Sequence, residues 1–365
     1  MRDGKMMDRR AFIASGGALA ACSALGVAPA GRRDDKMIWA DLVHLGVNMW
    51  IDHDIGYPDD RHFTLQRKGP PSALQCDEAQ WREIVARMRL RGLNMLVIDL
   101  AEGMVFPSHP ELAVKGAWSP DRMRDEVARL KTLGIEAIPK INFSTSHDAW
   151  MGPFERMVST RAYYDFCEDI IRDAAEIFGT PRYFHIGFDE ESAHCQKGYD
   201  YCVVRQGDLW WHDLLRIVAA VEKRGMRPWM WSDAEWYRPE EYARRCPRSV
   251  LQSNWYYSVS FDKRVLAENK KREIVQQEVV QMHELDQVEC YERLEKAGFD
   301  QVPCGGNWRE EANLAETVKF CRDVIAPERL KGFLVAPWRR LTPPFRDVNL
   351  RGVDLMGDEI RKWPS

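Results

Sequence analysis

Residues 183–192 read YFHIGFDEES, an apolar run that ends in three consecutive carboxylates. The first six residues have the composition of a buried β-strand. In a regular strand successive side chains point to opposite faces, so Asp189 and Glu190 can share one pocket only where the strand ends or bulges. The chemistry open to these two acids therefore depends on the sheet that the strand joins.

Apolar runs of strand length alternate with amphipathic helical stretches along the chain. The runs that predict strands are residues 44–50, 94–100, 135–141, 183–188, 227–231, 250–255, 299–304 and 332–338. The helices between them have clear ends: in WSPDRMRDEVARLKTLG, residues 118–134, Ser119 suits the N-cap, Pro120 the first helical position and Gly134 the C-terminal end. Eight β/α alternations without a long linker predict an α/β protein with a single (β/α)8 TIM barrel over residues 31–365.

Composition narrows the classes of partner and cofactor. With 365 residues, 45% of them hydrophobic, the chain can bury a large core. The formal net charge of −4 lacks the basic excess of a nucleic-acid binder, so the sequence predicts no nucleic-acid partner. Nine cysteines occur without any C-x-x-C pair, which indicates no zinc site. Fourteen tryptophans offer flat apolar faces of the kind that stack on sugar rings.

The first 30 residues predict an export signal rather than part of the fold. A charged start is followed by small apolar residues at 12–28, and Arg9-Arg10 resembles a twin-arginine motif, so we expect a periplasmic or extracellular protein. Two processing routes stay open. Cleavage after Ala30 would release the protein, whereas a lipobox ending at Cys22 would leave a lipid anchor as its attachment to the membrane.

In a (β/α)8 barrel the active site lies at the C-terminal ends of the strands. Asp189 and Glu190 follow the fourth predicted strand and are the candidate catalytic pair. The other candidates at strand ends, assigned to substrate binding, are His147, Trp231, Asp233, Trp255, Trp308 and Trp338. Polar groups mixed with tryptophan favour a carbohydrate pocket, and the chain has no glycine-rich phosphate loop. Two neighbouring carboxyls suit glycoside cleavage, because repulsion and burial keep one of them protonated.

The sequence of the fourth strand resembles the H-x-G-G-D-E signature of family 20 glycoside hydrolases, the β-N-acetylhexosaminidases, with Phe188 in place of the second glycine. Residues 135–150, IEAIPKINFSTSHDAW, resemble that family's third strand, with Lys140 and Asn142 where acids are usual. Residues 223–233, KRGMRPWMWSD, and 332–338, GFLVAPW, resemble its fifth and eighth strands, each with a tryptophan near its end.

This resemblance implies retaining hydrolysis assisted by the substrate's own 2-acetamido oxygen. Asp189 would orient and stabilise the acetamido group, and Glu190 would act as general acid and then as general base. Tryptophans 231, 255 and 338 would form the apolar walls of the pocket. The resemblance implies no protein nucleophile, no metal and no cofactor.

Two alternatives stay open at the sequence level. The first is a barrel glycosidase acting on a sugar without an acetamido group, with Asp233 or Glu102 as nucleophile. The second is an exported sugar-binding barrel without catalysis, since no arginine on the first strand is available to bind sugar hydroxyls. The sequence predicts no particular oligomeric state.

Three polar features are interpreted as non-catalytic. His185 lies inside the strand and is predicted to be a hydrogen-bonded core residue. Glu191 is interpreted as a charge at the start of a helix. The run of residues 52–54, DHD, has no partner cluster in sequence and does not predict a metal site.

Overall fold

The computed structural model of the chain describes residues 36–54, 69–275 and 283–364. The predicted export signal, with Arg9, Arg10 and Cys22, lies outside these residues. Residues from Met37 onward belong to one unit. Its strands are β1 Ile38–His44, β2 Met95–Asp99, β3 Glu136–Lys140, β4 Tyr183–His185, β5 Arg227–Trp231, β6 Leu251–Ser253, β7 Cys304–Gly305 and β8 Gly332–Val335.

Helices follow the strands in alternation. They are α1 Glu78–Arg91, α2 Pro120–Thr132, α3 Arg161–Phe178, α4 Gly207–Lys223, α5 Ala234–Tyr237, α6 Pro239–Arg245, α7 Lys263–Val275, α8 Glu284–Ala297, α9 Asn313–Val324 and α10 Arg346–Lys362. Short 3-10 helices lie at Ala101–Gly103, Pro110–Leu112, Ala149–Met157 and Pro343–Phe345.

The eight strands form one parallel sheet in the order β6-β5-β4-β3-β2-β1-β8-β7. Backbone hydrogen bonds join its two edges: the N–H of Val302 donates to the carbonyl of Gln252 at 2.8 Å, and that of Cys304 to Asn254 at 2.9 Å. These bonds bring the β6 and β7 segments together. The predicted (β/α)8 TIM barrel is therefore confirmed.

The helix signals act as expected where they are strong. The Ser119 hydroxyl accepts a hydrogen bond from the backbone N–H of Arg122 at 3.2 Å, and Pro120 is the first residue of α2. Gly134, with φ of 75°, follows the end of that helix in the left-handed conformation that glycine adopts without steric cost.

The position predicted for the first strand is wrong. Residues 44–50 were expected to form it, whereas β1 spans Ile38–His44 and residues 45–50 leave the sheet. The N–H groups of Leu45 and Gly46 both donate to the carbonyl of Asp99, which turns the chain at that point. Gly46 permits this turn, because a Cβ there would lie 2.4 Å from the carbonyl oxygen of Leu100. The apolar residues beyond it pack with tryptophan at the end of the barrel instead.

Two observations bear on attachment and covalent cross-links. Among the described residues, no helix has the length and apolar character that a membrane crossing requires. The eight cysteines in the described part of the chain are all free thiols.

Candidate active site

The backbone changes conformation directly after β4. Gly187, Phe188 and Glu190 have positive φ values of 69°, 73° and 55°. These angles end the alternation of the strand, and the left-handed conformation costs about 1–2 kcal/mol for a residue other than glycine. Asp189 and Glu190 consequently both reach the imidazole of His147: Oδ1 of Asp189 lies 3.7 Å from Nδ1, and Oε2 of Glu190 lies 3.3 Å from Nε2.

Asn142, at the end of β3, packs against the bare backbone of Gly187. A Cβ at position 187 would lie 2.0 Å from the Asn142 side-chain oxygen. That oxygen accepts hydrogen bonds from the N–H groups of Ser144 and Phe188, both at 3.0 Å. The side-chain nitrogen therefore faces Asp189 and donates to its Oδ1 at 2.7 Å.

Phe188, which stands at the position of the second glycine in the H-x-G-G-D-E signature, is a packing residue. Its buried ring packs edge-to-face on Trp210 with a centroid distance of 5.5 Å. The guanidinium of Arg205 lies 4.7 Å from the centroid of the Phe188 ring. The ring thus fills the layer between the sheet and α4.

Glu191 is a buried ion-pair partner, so its interpretation as a helix-start charge is wrong. Its Oε2 lies 2.6 Å from Nη2 of Arg205, and its Oε1 accepts from Nε of the same arginine at 2.9 Å. Arg205 also contacts Oδ2 of Asp213 at 3.2 Å. The loop after β4 folds back over its own start, so that Glu191 and Arg205, 14 positions apart in sequence, are in contact. The Arg205 network anchors the segment that follows the candidate catalytic pair.

Asp233, after β5, lies beside Glu190. Its Oδ2 accepts a 2.8 Å hydrogen bond from the backbone N–H of Glu190, and its Oδ1 is buried without a hydrogen-bond partner. Burial, with the nearby Asp189 and Glu190 carboxyls, raises the pKa of Asp233 well above its usual range. Asp233 therefore contacts the backbone of Glu190 through a buried carboxyl whose neutral form is favoured by burial.

The pKa values of Asp189 and His147 are set by their mutual proximity. Burial raises the pKa of Asp189, and Glu190 adds to this increase, whereas the His147 charge and the Asn142 amide oppose it. Burial alone would lower the pKa of His147, but the Asp189 and Glu190 carboxylates outweigh it and raise that pKa. The Asp189 carboxyl and the His147 imidazole thus each favour the charged form of the other.

The barrel interior beneath the acids is also polar. Lys140 is fully buried and donates to Oδ2 of Asp99, which also lies 3.3 Å from Nδ1 of His44. The charge of Lys140 is therefore balanced by the Asp99 carboxylate inside the barrel. Nδ1 of the fully buried His185 accepts a hydrogen bond from the N–H of Gly187 at 3.1 Å. The prediction of a hydrogen-bonded core histidine is confirmed.

An aromatic group stands at the ends of β6, β7 and β8. Nε1 of Trp338 donates to the Tyr257 hydroxyl at 2.7 Å. The Tyr257 ring stacks on Trp255 at a centroid distance of 5.6 Å and meets Trp308 edge-on at 5.4 Å. Trp308 is 37% exposed and Trp338 is half-buried, so both offer surface to a ligand.

Trp231 differs from the other predicted wall residues. It is fully buried and packs on His185 and Trp338, with centroid distances of 4.5 Å and 6.0 Å. Trp231 therefore supports the pocket wall from behind. Trp255 is also nearly covered, and its Nε1 is buried without a hydrogen-bond partner.

Glu102, one of the alternative nucleophiles, holds the loop after β1. Its two carboxylate oxygens accept from the backbone N–H groups of Val47 and Asn48 at 2.8 Å and 3.0 Å. Burial raises the pKa of Glu102 to about 7. These hydrogen bonds indicate that Glu102 positions the loop after β1.

Two groups of described residues could hold a metal ion, since their ligand atoms lie within 4.8 Å of one another. One is the candidate catalytic group of His147, Asp189 and Glu190. The other is Asp52, His53 and Asp200, where Asp52 already accepts from His53 Nδ1 at 2.6 Å and lies 3.4 Å from Arg156.

Solved β-N-acetylhexosaminidases share this architecture. The GH20 enzyme from Streptomyces coelicolor A3(2) superposes with a TM-score of 0.54 at 13% identity, covering 88% of this chain and 64% of its own. The β-N-acetylhexosaminidase from Bacteroides fragilis NCTC 9343 superposes with a TM-score of 0.54 at 11% identity, over 88% of this chain and 65% of its own. An inactive mutant of the GH20 exo-β-N-acetylglucosaminidase from Vibrio harveyi superposes with a TM-score of 0.56 at 13% identity, over 90% of this chain and 55% of its own. The chain thus has the barrel fold of these enzymes at low sequence identity.

Because the sequence identities are this low, the likeness establishes the fold alone. The chain spans 55% to 65% of the length of these three proteins. No family model matches the sequence, and no curated protein matches it.

Three residues of the candidate site were given no role at the sequence level, although Asn142 is among the polar residues at the predicted strand ends. Asn142 supports Asp189, Trp50 meets the His147 ring edge-on at 5.5 Å, and Tyr257 joins the tryptophans. All three lie within a few residues of a strand's C-terminal end, which is the signal that could have found them.

Proposed function

We propose that the chain is a β-N-acetylhexosaminidase-like glycoside hydrolase that removes N-acetylhexosamine from a glycan by substrate-assisted retaining hydrolysis. The observation that carries this proposal is the pair Asp189 and Glu190, both brought to His147 by the positive-φ turn after β4. The shared fold of the solved family 20 enzymes supports it.

Asp189 is suited to act on the acetamido group. Burial raises the pKa of its carboxyl, and the charge of His147 and the Asn142 amide oppose that increase and stabilise the ionised form. Such a group accepts a hydrogen bond from the acetamido N–H and so aims the acetamido oxygen at the anomeric carbon. Positive charge then develops on the ring that forms, and a fixed buried anion stabilises it more strongly than water does.

Glu190 is suited to proton transfer because it is more accessible than Asp189: its side chain is 25% exposed against 7%. In the first step Glu190 gives its proton to the glycosidic oxygen as the bond to the anomeric carbon breaks. In the second step Glu190 takes a proton from the water that attacks this carbon, and the acetamido oxygen leaves. The hydrogen bond from its N–H to Asp233 fixes its backbone.

The aromatic group supplies the apolar contacts that a sugar ring requires. Trp338 is held in place by its hydrogen bond to Tyr257, which is itself packed between Trp255 and Trp308. An indole fixed in this way can stack on a pyranose face at little entropic cost.

The proposal also covers the location of the protein. Arg9 and Arg10, ahead of a weakly apolar stretch, support export by the twin-arginine route to the periplasm or beyond. Processing after Ala30 gives a released form, and acylation of Cys22 gives an anchored one.

The experiment is a screen of aryl glycosides with and without a 2-acetamido group, on the purified protein. We expect turnover of the N-acetyl-β-hexosaminides and little turnover of the matching plain hexosides. Glu190→Gln should reduce turnover far more for poor leaving groups than for activated aryl groups, which need little protonation. Equal turnover of both sugar classes would point to a protein nucleophile, and no turnover of any glycoside would favour the sugar-binding alternative.

A further inference from the structure

The rim of the barrel carries two acidic residues after β4 and an arginine after β8, on the opposite side. Asp189 and Glu190 follow β4, whereas Arg339 follows Trp338 after β8. In the sheet order, three strands separate β4 from β8 in one direction, and the other three strands lie between them around the closed barrel. The arginine thus stands across the barrel mouth from the candidate catalytic acids.

In the part of the chain that the structure describes, the guanidinium of Arg339 contacts only uncharged groups. Its Nη1 donates to the carbonyl of Trp338 at 3.2 Å, and its Nη2 donates to the carbonyl of Trp308 at 3.3 Å. Within the described ranges, Arg339 forms no ion pair with a carboxylate. Burial lowers its pKa, with no acidic group acting in the opposite direction. By contrast, the buried Arg205 is paired with two carboxylates.

A half-buried guanidinium without an acidic partner is an incomplete electrostatic arrangement. It has five N–H donors in a planar fork, and carbonyl oxygens use some of them without balancing the charge. The remaining donors match the paired oxygens of a carboxylate or a sulfate ester. The two residues that Arg339 contacts, Trp308 and Trp338, are the exposed members of the aromatic group.

We propose that Arg339 binds an anionic substituent of the glycan, a carboxylate or a sulfate ester carried on or next to the sugar that is cleaved. This inference rests on the proposed glycosidase function and narrows its substrate class. Arg339 attracts such a substituent to its own side of the barrel mouth, opposite Asp189 and Glu190. A substrate so oriented directs its glycosidic bond toward Asp189 and Glu190, which adds specificity through charge.

The competing role for Arg339 is purely structural, since its hydrogen bonds tie the loop after β7 to the loop after β8. A structural role alters turnover of neutral and anionic substrates together. A recognition role alters the ratio between them. That ratio is therefore the quantity to measure.

The test compares an aryl N-acetylglucosaminide with its 6-O-sulfate and with N-acetylglucosamine β-linked to glucuronic acid. The kcat/KM for each substrate is measured with the wild type and with the variants Arg339→Gln, Arg339→Lys and Arg361→Gln. Arg361 is a matched control, because it is an exposed arginine on α10 that pairs with Asp358 at 2.6 Å. We expect Arg339→Gln to lower the ratio of kcat/KM for the anionic over the neutral substrate by about 10-fold or more, the effect of one charge-assisted contact. Arg361→Gln should keep the wild-type ratio, and Arg339→Lys should give an intermediate one.

Binding of N-acetylglucosamine, its 6-sulfate and the glucuronic acid conjugate, measured by calorimetry, separates the two proposals. Normal turnover with a ratio that Arg339→Gln leaves unchanged overturns the inference and leaves the function standing. Arg339-dependent preference for an anionic sugar without any turnover supports the inference and refutes the function. Equal binding of all three ligands overturns the inference. Preference for only one anionic ligand identifies sulfate or carboxylate as the source of the charge.

Discussion

The side-chain amide of Asn142 donates a 2.7 Å hydrogen bond to Oδ1 of Asp189. Two backbone N–H groups occupy the amide oxygen, so only the nitrogen can face the carboxylate. Asn142 lies this close because Gly187 has no side chain. The turn after β4, the amide and the acid therefore form one unit.

Gly187→Ala tests the contact between backbone and amide. The new Cβ would lie 2.0 Å from the Asn142 oxygen, so the amide must move and Asp189 loses its donor. We expect kcat to fall by about 10²-fold, as for other small displacements of catalytic groups. Gly134→Ala is the matched control: it also has positive φ, at 75°, but nothing lies within 4 Å of the added Cβ. Similar activity in the two variants would show that the contact with Asn142 has no role.

Arg205→Met tests the support behind the candidate catalytic pair. The substitution leaves Glu191 and Asp213 buried without their cation. We expect the free energy of unfolding to fall by about 3–5 kcal/mol in urea denaturation followed by tryptophan fluorescence. Arg361→Gln, which removes an exposed ion pair, should change it by about 0.5 kcal/mol or less. Equal stability of the two variants would contradict a stabilising role for the buried network.

His147→Gln tests the charge beside Asp189. The nearby Asp189 and Glu190 carboxylates raise the folded-state pKa of His147 above its usual value, so protonation stabilises the fold. That contribution is fully present below the unfolded-state pKa and is lost as pH rises through the folded-state pKa. Urea denaturation should therefore show a larger stability difference between wild type and variant at about pH 6 than at about pH 9. A difference that grows with pH would mean that His147 is neutral in the folded protein.

The twin-arginine proposal is tested by replacing Arg9 and Arg10 with lysine. The translocation receptor distinguishes the guanidinium pair from a simple positive charge, so the folded variant should stay in the cytoplasm. Arg2→Lys makes the same chemical change outside the pair and should be exported normally. Cell fractionation with immunoblotting measures both. Export of the double variant at the wild-type level would show that the chain does not use the twin-arginine route.

Much of the fold could be predicted from the alternation of apolar runs with capped helices. The exception at β1 has a physical cause: residues 38–44 and 45–50 are both apolar and buried, one inside the sheet and one at its end. Composition cannot separate these two environments. The hydrogen bonds from Leu45 and Gly46 to Asp99 decide between them, and they depend on another strand.

The residues of the candidate site could be predicted where they follow the C-terminal end of a predicted strand, as Asp189, His147 and Asp233 do. The contacts between them could not. Arg205 reaches Glu191 through a loop that folds back, and Asp233 meets Glu190 from the next strand. Contacts of this kind arise from tertiary structure, and neither residue type nor spacing reveals them.

The central claim is that the substrate's acetamido group is the nucleophile and that Asp189 stabilises the charge that it acquires. Asp189→Asn keeps the shape of the side chain and removes that charge. We expect turnover of an aryl N-acetylglucosaminide to fall by about 10²-fold or more, with little change in KM, because the interaction is made chiefly in the transition state.

The most direct measurement is the inhibition constant of a thiazoline analogue of the cyclised intermediate. The account predicts competitive inhibition of the wild type well below the KM of the substrate, with binding to Asp189→Asn weaker by about 10²-fold. An active wild-type enzyme that the thiazoline fails to inhibit would contradict substrate assistance and require a carboxylate of the protein as the nucleophile.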